Sequence, residues 1–233
     1  MAVPASVAYT ALGEGPATAE FWLDLLCPFS QKCTALLHSY LVPAVLPGGK
    51  YHGKLRILIR PYPQPWHPQG GYSCLSLWSF GRAFCAPGNA YGGDARLWFE
   101  YYAAVAAKLD DFKDGQALGV TGHEYNKKLV DIGAEAVWGS VDKLGLKNID
   151  SLEAARAIFA NALEPAISAK GNNDNPNGPD MKYFIRLGRQ NSINATLSLV
   201  WDGLYDRIPQ SSWKEAEWDE YLRYFSSPPE TCA

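Results

Sequence analysis

Charge and cysteine are both in short supply in this chain. Charged residues make up 19% of its 233 positions, below the roughly one quarter usual in soluble domains. The balance of 21 basic and 24 acidic side chains leaves a formal net charge of −3. A mildly acidic chain with no basic stripe is a poor partner for nucleic acid. Five cysteines are an odd, sparse set and do not make a disulfide framework. No apolar run approaches the ~18 residues of a membrane span. The first twenty residues lack a basic segment followed by a long apolar one, so no secretory leader is expected. These absences lead us to expect a reducing, cytoplasmic setting with no membrane partner. Asn194-Ala195-Thr196 fits a glycosylation sequon, which in that setting is chance. The Cys and His spacings offer no zinc pattern. No Gly-rich phosphate loop or Gly-x-Ser-x-Gly elbow occurs.

Apolar material is plentiful. Hydrophobic residues make up 47% and aromatics 13%, with eight Trp and thirteen Tyr. That composition folds rather than staying disordered. The length suits one large domain, or one domain carrying an insertion. Rings in such number fill a core and can also line an apolar pocket. Trp66, Tyr72, Trp78, Trp98, Tyr101 and Tyr102 are candidates for such a wall, although core burial is the simpler role for each.

Residues 21–26 form a short apolar run fit for a strand. Cys-Pro-Phe-Ser follows, with Pro28 suited to the first helical position, and Leu36, Leu37, Tyr40 and Leu41 recur at helical spacing. Alternation of Leu55, Ile57 and Ile59 with more polar neighbours marks a second strand over 54–60. A helix between two strands implies a parallel crossover. The loop 61–68 holds four prolines and cannot be regular structure. From 71 to 190 the pattern is helical, with capping boxes at Thr121/Glu124 and Asp150/Glu153, and a polar loop over 171–180. A further β region starts at 195, turns at Asp202-Gly203, returns over 204–208, and leads to a last helix capped by Ser212 and Glu215 with Trp218, Leu222 and Phe225 on one face. The order β-α-β, helical block, β-β-α predicts one α/β domain interrupted by a helical insertion. Its parts are residues 1–70 with 191–233, and the insertion 71–190.

Cys27 is the sharpest chemical signal. It follows a strand and precedes a helix, near unpaired N–H groups and the positive end of the dipole. That position favours a thiolate; the alternative is a small buried hydrophobe. Ser30 lies one turn on and is expected to donate a hydrogen bond to the sulfur, while Phe29, Trp22 and Trp66 are expected to desolvate it. Cys33 stands six residues along the helix, a rise of ~9 Å, beyond the ~7 Å reach of a disulfide. Cys33, Cys74 and Cys85 are expected to fill core or pocket, and Cys232 to lie exposed in the tail. His67, in a loop near the carboxyl ends of the strands, is a candidate for proton transfer. His38, His52 and His123 are expected to be structural.

This pattern resembles the DsbA-like thioredoxin-fold superfamily. Cys27-Pro28-Phe29-Ser30 sits where that superfamily keeps Cys-Pro-x-Cys, and is more similar to a eukaryotic branch with Cys-Pro-x-Ser. Tyr62-Pro-Gln-Pro-Trp66-His67 is similar to the loop after that branch's second strand. Ile193-Asn-Ala-Thr196 resembles the segment leading into the superfamily's cis-proline. A more distant resemblance is to kappa-class glutathione transferases and chromene-carboxylate isomerases, in which the position of Cys27 holds the glutathione sulfur. The resemblance implies a thioredoxin-like sheet with a large helical insertion.

The departures from these families matter as much. Ser30 replaces the resolving cysteine that a disulfide exchanger uses to release its mixed disulfide. Leu197 replaces the cis-proline, and a non-proline cis peptide costs ~3 kcal/mol, so a trans bond is expected there. The main reading is a thiol-dependent enzyme acting on a small molecule, a glutathione-linked transfer or isomerisation. Cys27, Ser30 and His67 would be catalytic, Phe29, Trp66, Thr196 and Leu197 would bind substrate, and glutathione is the cofactor the family suggests. A homodimer is compatible with it. The alternatives are a redox-silent protein that uses an aromatic cleft for an apolar ligand, and a thiol-disulfide oxidoreductase.

Overall fold

The computed structural model describes residues 3–167, 170 and 174–226. A 3-10 segment, Ala5–Thr10, leads into β1 (Ala11–Leu12), then β2 (Ala17–Leu23) and α1 (Pro28–Leu36). A π turn over Leu37–Leu41 joins α1 to α2 (Val42–Val45). Pro43 has no N–H to give the preceding turn and its ring crowds that turn's carbonyl, which accounts for the wider turn just before it. Next come β3 (Leu55–Pro61), α3 (Gly70–Phe80), α4 (Ala95–Ala107), α5 (Asp114–Ala117) and α6 (Gly122–Trp138). They are followed by α7 (Val141–Leu144), α8 (Leu152–Ile167), α9 (Gly178–Gln190), β4 (Ser198–Trp201), β5 (Leu204–Asp206) and α10 (Glu215–Ser226).

One sheet of order β1-β3-β2-β4-β5 holds the strands from both ends of the chain. β2 and β3 run parallel from Ala17↔Leu55 to Leu23↔Pro61, and the remaining pairs are antiparallel. The expected sheet interrupted by a helical block is the one the chain forms. β2 is central and all seven of its residues are buried. Ala19, Phe21 and Leu23 face the main core with Ile57 and Ile59. Trp22 faces the other way, with Tyr62, Ile193 and Val200. On that second face Arg60 Nε donates to Glu20 Oε2 at 2.8 Å, both side chains shut away from solvent. The Arg60 guanidinium lies 5.8 Å from the centre of the Phe184 ring of α9.

Several boundaries differ from the sequence expectation, each for a local reason. β2 ends at Leu23 because Asp24 folds back on its own turn, Leu26 N–H donating to Asp24 Oδ1 at 2.9 Å. β4 starts at Ser198, whose Oγ donates to Ala195 O at 2.7 Å and holds 195–198 in a turn. β5 stops at Asp206, which accepts from Ile208 N–H at 2.8 Å. Ser151 rather than Asp150 caps α8, accepting from Ala154 N–H. α10 starts at Glu215, with Glu217 accepting from Lys214 N–H. The Thr121/Glu124 capping box is present. Asp202 and Gly203 both have positive φ, as a tight primed hairpin turn demands. α9 takes in 178–180 of the expected loop, and the rest of that loop lies partly outside the described residues, as do Cys232 and the Phe225 side chain. The two-residue β1 is too short to show a period and was not anticipated.

Trp78, Trp98, Tyr101 and Tyr102 are fully buried and belong to the core rather than to a pocket wall, while Trp66 and Tyr72 are exposed. α9 packs so closely on the second sheet face that a Cβ at Gly188 would stand 2.4 Å from the Tyr62 ring. Gly188→Ala should therefore lower unfolding stability by ~1–3 kcal/mol, read as a lower urea midpoint; an unchanged midpoint would show that α9 does not sit against the sheet.

At the far end of α1, Glu100 of α4 accepts from His38 at 2.8 Å and pairs with Lys143 of α7 at 2.8 Å. The His38 hydrogen bond leads in drawing the Glu100 carboxyl from its ordinary 4.5 down to about 2, against the opposing effect of burial. A carboxyl lowered on folding contributes stability that is complete above its unfolded value and is lost as pH falls through its folded one. The stability curve should lose this contribution between about pH 4.5 and pH 2, and Glu100→Gln should flatten that part of an acid titration followed by circular dichroism.

Candidate active site

The chain leaves β2 and turns over residues 24–27, where Asp24 O accepts from Cys27 N–H at 3.1 Å. Cys27 then caps α1. Its backbone is extended and its carbonyl accepts the first helical bond from Gln31 N–H at 2.9 Å. Pro28 occupies the first turn, where a missing N–H costs nothing. The sulfur thus stands at the positive end of α1. It is 3.4 Å from Thr196 O, to which the thiol donates. Two segments far apart in sequence meet at this bond. The Thr196–Leu197 peptide is cis, so the expectation of a trans bond after loss of the proline is corrected.

The neighbours of Cys27 differ in part from expectation. Ser30 is buried, but its Oγ accepts from Asp24 N–H at 3.1 Å, and it supports the turn rather than the sulfur. Phe29 and Trp66 are each 58% exposed and stand in solvent. Cys27 is nonetheless buried, 6% exposed. Trp22 is buried edge-on against Tyr62 on the second sheet face. Thr196 is buried and Leu197 packs partly into the main core. Cys33, Cys74 and Cys85 are free and buried, as expected. Burial pushes the Cys33 thiol up to about 12 and raises those of Cys74 and Cys85 well above the ordinary range. None of the three offers a thiolate near neutral pH.

The residue that organises the site is Asp24, which the sequence reading passed over as one position of an apolar strand. Its carboxylate is fully buried. Oδ1 accepts from Leu26 N–H, and Oδ2 from Gln64 N–H at 2.9 Å. Oδ2 also meets His67 Nδ1 at 2.6 Å. With the carboxylate accepting throughout, His67 Nδ1 carries a proton and donates it to Asp24. His67 keeps 17% of its side chain exposed, so it can pass a proton between this cluster and solvent. Among the described residues no hydrogen bond joins His67 directly to Cys27; both are tied to Asp24. The available signal was a lone acid in the run Phe21 to Leu26, since a buried polar residue is the informative exception in such a stretch. No group of metal-binding side chains is found among the described residues, and none of the described helices is long and apolar enough to cross a membrane.

No protein-family model matches the chain, and no curated protein matches it. Solved structures do. A Pseudomonas syringae protein provisionally assigned as a protein-disulfide isomerase superposes with a TM-score of 0.60 at 20% identity, over 93% of this chain and 99% of its own. Pseudomonas aeruginosa DsbA2 superposes at 0.57 and 17% identity, with all of both chains covered. The thiol-disulfide exchange protein alpha-DsbA2 of Wolbachia pipientis gives 0.53 at 13% identity, over 93% and 87%. The fold is therefore the DsbA-like thioredoxin fold, a sheet with a large helical insertion.

Replacing Asp24 with asparagine keeps the shape but turns one acceptor into a donor facing other donors. Asp24→Asn should cost ~1–3 kcal/mol of stability for each backbone N–H left unpaired, and should remove the protected His67 Nδ1–H resonance from the proton–nitrogen spectrum. Retention of both would show that the carboxylate does not hold the loop.

Proposed function

We propose that this chain is a single-thiol disulfide exchanger. The observation that carries it is the placement of Cys27 Sγ at the N-terminus of α1, against the backbone carbonyl of Thr196, a position that none of the other described thiols shares. The fold it shares with DsbA2 proteins supports the same chemistry, and so does the likeness of Cys27-Pro28-Phe29-Ser30 to the Cys-Pro-x-Ser branch.

In the first step the Cys27 thiolate attacks one sulfur of a substrate disulfide. A Cys27–substrate disulfide forms and the other sulfur leaves as a thiolate that takes up a proton. In the second step an external thiolate attacks the substrate sulfur of that mixed disulfide. Cys27 is released as a thiolate, and substrate and external thiol are left joined. Glutathione fits the external role in a reducing compartment. Electrons balance without a second thiol in the chain. His67 Nε2 can hold the transferred proton while Asp24 keeps its ring oriented. The exposed rings of Phe29 and Trp66 offer a surface for the incoming partner.

With Cys232 replaced, brief alkylation at neutral pH followed by mass mapping should label Cys27 first, and Cys33, Cys74 and Cys85 only on unfolding. Release of a glutathione-bound peptide beyond one equivalent per chain should require added glutathione, and release should fall to the uncatalysed rate in Cys27→Ser. Reduction of insulin should be slow. An insulin rate matching a dithiol thioredoxin would give Cys33 the resolving role. Labelling of Cys27 no faster than that of Cys33, Cys74 and Cys85 would leave a redox-silent ligand cleft as the better account.

A further inference from the structure

A groove of about 520 Å³ runs along the outer side of α1, between it and α4. It begins at Gln31 and Lys32, one turn beyond Cys27, and ends at His38 and Glu100. Seven helical residues separate its ends, a length of about 10 Å. Its floor is alanine: Ala35 from α1, and Ala103, Ala104 and Ala107 from α4. Small side chains on both helices leave the space open. Thr34, 1% exposed, also lines the groove, and its Oγ1 has no hydrogen-bond partner.

The charges around this floor have one net sign. The lone acid, Glu100, is already neutralised, with His38 on one oxygen and Lys143 on the other. His38 is raised from its ordinary value by its hydrogen bond to Glu100 and so carries charge further toward neutral pH. Lys32 is exposed at the opposite end and makes no ion pair among the described residues. On a chain whose net charge is −3, the groove is a local positive region over an apolar bed.

We propose that this groove binds an anionic amphiphile, a carboxylate on a short linear apolar chain. The chain lies along the alanines and the carboxylate meets Lys32. This does not depend on thiol chemistry at Cys27.

The test uses octanoate, octanol and octylamine below their aggregation limits, titrated into the full chain and followed by calorimetry and by alanine methyl shifts. Octanoate should bind, moving the methyls of Ala103 and Ala104. Octanol should bind about two- to fivefold more weakly, the loss expected for one exposed ion pair, and octylamine more weakly still. Lys32→Gln, an exposed change that does not threaten folding, should bring octanoate to the level of octanol. Ala103→Leu, checked for native circular dichroism, should fill the groove and remove binding of both. Cys27→Ser should bind octanoate as the parent does, so failure of the exchange reaction and failure of this site can be told apart. Equal binding of the three probes, octanoate binding unchanged in Lys32→Gln, or shifts confined to residues outside the groove would each overturn the proposal.

Discussion

A carboxylate sealed from water must find hydrogen-bond donors, and much of this site follows from how Asp24 finds them. Taking an ion out of water costs several kcal/mol even after relaxation. Asp24 recovers that from three directions: its own turn through Leu26, the loop after β3 through Gln64, and the ring of His67. Its backbone is engaged as well, the carbonyl by Cys27 N–H and the N–H by Ser30 Oγ. One residue thereby fixes the turn that delivers Cys27, the first turn of α1 and the proline-rich loop. The proline content of that loop reduces the entropy lost when it is held there.

The sheet beneath is equally constrained. β2 lies between β3 and β4 and is covered on both faces, so only its carboxyl end reaches the surface where chemistry can occur. The cover on the second face comes from α9, whose Gly188 lets the helix approach Tyr62 and Trp22. Under that helix Glu20 and Arg60 form a buried pair. Such a pair contributes little net stability, but it ties β2 to β3 on the face where the hydrophobic cluster is small. The helical insertion is thus a structural part of the sheet's burial as well as an appendage to it.

The sequence shows the fold through its strongest periodicities. The alternation around Ile57, the Asp202-Gly203 turn and the Thr121 capping box are local signals that survive in the structure, whereas the cap read at Asp150 moved to Ser151. Strand ends were misplaced where side chains compete with the ladder, at Asp24, Ser198 and Asp206, because a polar side chain bonding its own backbone leaves no trace in hydrophobic pattern. Cys27 was legible from its place between strand and helix. The role of Asp24 was not, since its partners Gln64 and His67 lie forty positions on, and only the parallel pairing of β2 with β3 brings them together. Ser30 was assigned to the wrong partner for the same reason: helical spacing places it near both the sulfur and the Asp24 N–H, and spacing alone does not choose.

The absence of a thiol at position 30 shapes any chemistry at Cys27. A dithiol protein clears its mixed disulfide from within, because the second sulfur waits one turn along the helix. Here the next sulfur on α1 is Cys33, ~9 Å up the axis, turned into the core and held as a thiol by burial. Cys74 is as deeply placed, and burial raises the thiols of both Cys74 and Cys85 well above the ordinary range. A bond formed at Cys27 would thus outlast the attack that made it, and its lifetime would be set by whichever external thiol reaches it. Phe29, two residues along from Cys27, and Trp66, next to the His67 that Asp24 holds, both stand exposed. Under the proposed exchange, two tasks that a dithiol site combines would be separated: the chain would supply an oriented sulfur, and its surroundings the second thiol.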